Sequence, residues 1–148
     1  MKIKLLTGAV FVLAATIALQ AGGFWLETGN PQASPEARAA NAVLVIRAIG
    51  CHNPAEADVT GTAIGIVDGK RVTKPLKLVK LSIPGAYAVA RQWPADGHWA
   101  LQFVATTGDL VTSAVMPADG DDVPRHEAKY APGPPNPDQV NAILAARR

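Results

Sequence analysis

Apolar and polar side chains alternate from Ala42 to Met116, and that pattern sets the expected elements. Ala42–Ile49 is rich in β-branched residues and short for a helix, so it predicts a strand. Ala57–Val67 predicts a second, with Thr60, Thr62, Ile64 and Ile66 on one face and the small residues Gly61, Ala63 and Gly65 on the other. Asp68-Gly69 is a two-residue hairpin signal, because both turn positions need positive φ, and Lys70–Thr73 returns as the partner. Leu76–Ile83 predicts another strand, whose alternation slips near Leu78-Val79 as at a bulge. Pro84-Gly85 turns the chain into Ala86–Trp93, which groups Tyr87, Val89 and Trp93. After Pro94–Gly97, His98–Thr106 puts Trp99, Leu101, Phe103 and Ala105 on one side and His98, Ala100, Gln102 and Thr106 on the other. Thr107–Asp109 leads into Leu110–Met116. These seven short strands, with tight turns and no intervening helices, predict an all-β fold: an antiparallel, immunoglobulin-like sandwich, with an open barrel as its competitor.

The flanks have a different texture. Lys2 and Lys4 precede a run from Leu5 to Leu19 that is apolar apart from two threonines, followed by Gln20-Ala21-Gly22-Gly23. A basic start, an apolar segment and small residues make a secretory signal, read here as residues 1–21. The same segment read as an uncleaved anchor helix is the rival, since no charge falls between Leu5 and Leu26. No cysteine lies near the cleavage point, which excludes a lipoprotein anchor. Residues 22–41 read as a linker with a helical turn from Ser34-Pro35-Glu36, and 42–117 as the sandwich domain. Residues 118–148 read as a tail with a stiff Pro132–Pro135 stretch and a short helix over 137–147. That helix has an asparagine cap, proline at its first position and a narrow stripe of Val140, Ile143 and Leu144.

Composition trims the list of functions. At 148 residues the chain fits one domain. The formal charge of +2 equals the contribution of Lys2 and Lys4, so the folded part is neutral overall and nucleic acid is set aside as a partner. A single cysteine, Cys51, excludes an internal disulfide.

Residues Pro84-Gly85-Ala86-Tyr87 through Trp93-Pro94-Ala95-Asp96-Gly97-His98-Trp99-Ala100-Leu101 resemble the last hairpin of YtkA-like and FixH-like extracytoplasmic sandwiches. The likeness covers about residues 84–101 and implies architecture rather than activity. FixH-like proteins carry an N-terminal membrane anchor. The related copper-carrying sandwiches use an amino-terminal histidine, which Gly22-Gly23-Phe24 would not supply.

Candidate chemistry is sparse. Cys51 and His52 pair a thiolate with an imidazole, which suits copper or zinc, with Met116 or His98 to complete the site. Against this, adjacent residues of a strand point apart. Ser82 and Ser113 lack a nucleophile elbow, and His126 is far along the chain from the other histidines. Asp119, Asp121 and Asp122 lack the spacing of an EF-hand. Phe24, Trp25 and Trp93 are the candidate partner-binding aromatics, with Trp99 assigned to the core. Together these observations point to a non-catalytic periplasmic or secreted binding or accessory module, possessing free sheet edges for a protein partner in the envelope. A copper or zinc carrier and a membrane-anchored accessory subunit of an envelope complex are the alternatives. Contact with the membrane is expected only if the first segment is retained.

Overall fold

In the computed structural model, residues 23–50 and 53–146 are described. Nine strands and two helices follow in order: β1 (Phe24–Gly29), α1 (Pro35–Ala39), β2 (Ala42–Gly50), β3 (Asp58–Val67), β4 (Lys70–Leu76), β5 (Val79–Lys80), β6 (Ala86–Ala90), β7 (His98–Thr107), β8 (Leu110–Asp119), β9 (Lys129–Pro132) and α2 (Pro137–Ala145). They form two antiparallel sheets, β1-β2-β6-β5 and β4-β3-β7-β8-β9. Lettered in chain order, the first eight strands fall as A-B-E-D in one layer and C′-C-F-G in the other. This is the immunoglobulin strand order, with β9 added beside the last strand.

The layers meet through the alternation expected of β7. Trp99, Leu101, Phe103 and Ala105 are fully buried against Leu44, Ile46 and Val89 of the other sheet. The core face of β3 is its small face. Gly61 stands opposite Phe103 and Gly65 opposite Trp99, so two rings lie over two residues that have no side chain. On the opposite face of β3, Ile64 is covered as well, because α2 lays Val140 and Leu144 over Ile64, Ala100 and Val115. On the far layer, α1 seats Ala37 against Val45 and Ala88. Asp68 and Gly69 both have positive φ in the β3–β4 hairpin, as the turn chemistry requires.

Four expectations are corrected. Residues 24–29, expected as linker, are an edge strand paired along its length with β2, because Phe24 and Leu26 turn inward onto the core. Leu76–Ile83 is not a continuous strand. The chain leaves one sheet for the other after Leu76, and the Gln92 side chain takes both the Lys77 N–H (2.8 Å) and the Lys77 carbonyl (2.9 Å), leaving only a two-residue β5. Residues 84–101 do not form a hairpin, since β6 and β7 belong to different sheets and 91–97 cross between them. The tail beyond 117 supplies β9, which pairs with Thr112–Val115. β8 itself runs through Pro117 to Asp119. The proline is tolerated because it lies past the part of β8 that β9 covers, where no ladder donor is needed.

Candidate functional site

Trp93, expected to be available to a partner, is 2% exposed. The crossover folds its indole back over the end of the core, where Nε1 donates to the Gly120 carbonyl at 2.9 Å. Arg91 braces the same corner, donating to the Trp93 carbonyl at 3.1 Å and to Asp121 at 2.5 Å. Phe24 is half-buried on the core, whereas Trp25 is 45% exposed on the outer face of β1, opposite Ile49. Of the three aromatics, only Trp25 is exposed.

Met116, the third candidate ligand, is completely enclosed in the interlayer core, opposite Leu101, among apolar neighbours. His98 lies on the other face of the same sheet, so these two side chains cannot share a metal. Cys51 and His52 lie outside the described residues. Among the described residues, no group of three or more His, Cys, Asp or Glu side chains is placed to hold a metal ion. The acidic run 119–122 is a tight turn, with Asp119 and Asp122 exchanging backbone hydrogen bonds of 2.9 and 3.0 Å. Its carboxylates diverge, Asp119 toward His98 and Asp121 toward Arg91. Ser113 lies six residues down β8 from Asp119, about 20 Å at strand rise. Ser82 sits in the loop leaving β5, where its backbone N–H donates to Glu36.

What the fold does assemble lies beside α2. Asn136 caps this helix by accepting from Asp138 N–H at 2.9 Å, Pro137 occupies its first turn, and Arg71 of β4 donates to Asn141 at 2.8 Å. Nine residues are too few for a stable helix in water, so its position depends on the docked Val140 and Leu144. Along its other side runs a half-open cleft of about 430 Å³. Ala142, Ile143 and Ala146 give it an apolar wall, and Pro117 continues that surface. Polar groups come from four elements: His98 at the start of β7, His126 and Glu127 in the turn before β9, Lys129 at its head, and Gln139 on α2 itself.

His98 is the ordered member of this set. Its side chain is only 11% exposed, and its Nδ1 lies 2.6 Å from Asp119 Oδ1 across the β7–β8 ladder. A carboxylate on one ring nitrogen fixes the ring's orientation and its tautomer. His126 is by contrast largely in water, 3.8 Å from Glu127. The arrangement can hold a small molecule by an apolar body and a polar head.

No protein-family model, curated protein or solved structure matches this chain. Among the described residues no helix is long and apolar enough to cross a membrane.

Sequence reasoning placed His98 on a solvated sheet face and His126 apart from it, and so missed the cleft. One signal was present. Counting outward from Thr107 and Leu110 on either side of the Gly108-Asp109 turn brings His98 opposite Asp119. The contribution of α2 and of His126 had no such local signal.

Proposed function

We propose that this chain is a non-catalytic binding module acting outside the cytoplasm, with the α2 cleft as its ligand site. The observation that carries this reading is the cleft itself, in which an oriented His98 faces an apolar helix wall across a space of small-molecule size. Its chemistry favours an amphipathic ligand with a hydrogen-bonding head, because His98, His126, Glu127 and Lys129 stand on the polar side. The separation of Ser82 and Ser113 from the His98–Asp119 pair supports binding rather than acyl-transfer chemistry. The basic-apolar start of the sequence supports export.

Anilinonaphthalene sulfonate, an aromatic anion, is a suitable probe. Its fluorescence should rise saturably with one molecule bound per chain. Ala142→Trp, which fills the cleft from an exposed helix position, should abolish the rise while leaving the melting temperature unchanged. Equal binding by Ala142→Trp and the parent protein would overturn the assignment.

A further inference from the structure

The domain is neutral overall but not uniform. Between Gly69 and Ala95 the chain carries Lys70, Arg71, Lys74, Lys77, Lys80 and Arg91 and no carboxylate at all. Beyond residue 22, the rest holds all twelve carboxylates against six cations (Arg38, Arg47, Arg125, Lys129, Arg147 and Arg148). The overall balance therefore conceals two regions of opposite sign.

The fold turns this segregation into a surface. β4 is the outer strand of one sheet and β5 the outer strand of the other, and the chain passes directly from one to the other. Lys70, Arg71, Lys74, Lys77 and Lys80 thus follow one margin of the sandwich as a continuous ridge, and all five are exposed. None of them takes part in an ion pair among the described residues; the neighbouring polar contact is the hydrogen bond from Arg71 to Asn141. Two carboxylates flank the ridge along the chain or in contact with its ends. Asp68 forms the hairpin tip beside Lys70, and Glu36 is bound to Ser82 beyond β5. Backbone position at the crossing is held by Gln92 on Lys77.

Aliphatic side chains share the ridge. Ile66 and Val67 at the β3–β4 hairpin are 41% and 39% exposed, and Val79 of β5 is 43% exposed. The opposite margin differs: there Thr28 of β1 and Tyr130 of β9 share a hydrogen bond of 2.9 Å that ties the two sheets together.

We propose that the β4–β5 margin lies against an anionic lipid surface. Such a surface satisfies both halves of the pattern, since cations meet headgroups while neighbouring aliphatic side chains enter the interfacial layer. An acidic polypeptide would neutralise the lysines but leave three aliphatic side chains wet. Strand addition is opposed by Pro75, which lacks a donor, and by the lysines along β4. Single-stranded nucleic acid would need stacking aromatics, and the exposed residues of the ridge are aliphatic. With β4 at one edge of its sheet and the cleft formed over β7–β9, this orientation leaves the ligand site facing water.

The test is cosedimentation of the full chain with vesicles of phosphatidylcholine alone or mixed with phosphatidylglycerol. Binding should require the anionic lipid and weaken as salt is raised. Replacing Lys70, Arg71, Lys74, Lys77 and Lys80 with glutamine should lower affinity for the mixed vesicles at least about tenfold. Any binding to phosphatidylcholine alone, which reports insertion by the apolar first segment, should be the same for both proteins. Lys74→Glu and Arg125→Glu change net charge equally, and only Lys74→Glu should weaken binding. Unchanged fluorescence of the buried Trp99 verifies folding. Equal losses in the two single variants, binding indifferent to phosphatidylglycerol, or tighter retention on polyglutamate or DNA than on the mixed vesicles would each overturn the proposal.

Discussion

Gly65 of β3 and Trp99 of β7 are paired on adjacent strands, and the indole lies so close that a β-carbon at Gly65 would meet the ring Cε3 at 2.6 Å. The pair repeats four residues along, where a β-carbon at Gly61 would meet Phe103 at 2.9 Å. Two large rings are accommodated because two neighbouring positions are empty. The small face of β3, rather than its isoleucine face, is therefore the interlayer face.

Gly65→Ala should destabilise the domain by about 1–3 kcal/mol, the range for overpacking a filled core. Its backbone is ordinary for an L-residue, so the whole effect is steric. The midpoint of urea denaturation followed by tryptophan emission measures it. A wild-type midpoint would show that the indole is free to move aside.

Trp93→Phe keeps the ring but removes the indole N–H that reaches the Gly120 carbonyl. A loss of about 1 kcal/mol is expected, because the partner carbonyl loses its donor in a half-buried corner. Replacing Arg91 with methionine in the same background should cost less than it does alone, since both side chains brace one turn. Thermal melts of the two single variants and the double variant supply the comparison.

Leu144→Ala removes most of the apolar anchor that holds α2 to Ile64, Ala100 and Val115. The short helix cannot persist undocked, so the cleft should lose one wall while the two-layer core stays intact. Hydrogen exchange should quicken across 137–145 and remain slow in β7, and probe binding at the cleft should fall with it. Slow exchange in the helix of this variant would mean that its capping, rather than its packing, holds it in place.

Glu36 joins α1 to the loop after β5. The Ser82 backbone N–H donates to its carboxylate at 2.8 Å, and with the Ser82 hydroxyl this holds its pKa below the ordinary 4.5. A lowered folded value means that the contact's stabilising contribution is complete above about pH 4.5 and fades as pH falls through the folded pKa. Glu36→Gln should therefore be slightly less stable than the parent near pH 7, and the gap should narrow as the pH is taken below 4.5. Denaturation midpoints above and below that pH decide it. A gap that stays constant with pH would assign the effect to packing. The group is fully exposed, so the difference is expected to be small.

Much of the sandwich was legible before any coordinates. The β7 alternation named the inward residues, the Asp68-Gly69 turn set the β3–β4 register, and Asn136-Pro137 marked the start of the last helix. These are local signals, each confined to a few consecutive residues. Misreadings arose where a local pattern was overruled at a distance. Phe24–Gly29 looked like linker because its pairing partner starts eighteen residues later, at Ala42. Trp93 looked exposed because the turn that carries its indole over Gly120 spans two sheets.

The candidate site was less legible than the fold. Side chains from β7, β8, the turn before β9 and α2 converge on the cleft, and they are drawn from positions 98 to 146. The charge segregation, in contrast, was written plainly in the chain between Gly69 and Ala95. Summing charge over the whole chain hid it.

Taken alone, the amino-acid order determined which side chains alternate, where the chain must turn and where the cations gather. Those properties depend on single residues and their immediate neighbours. Tertiary structure alone decided which face of β3 turns inward, that the crossover buries Trp93, and that His98 and His126 meet beside α2. Each of these depends on close packing between segments distant in the chain, where the volume left empty by one strand is the volume another can fill.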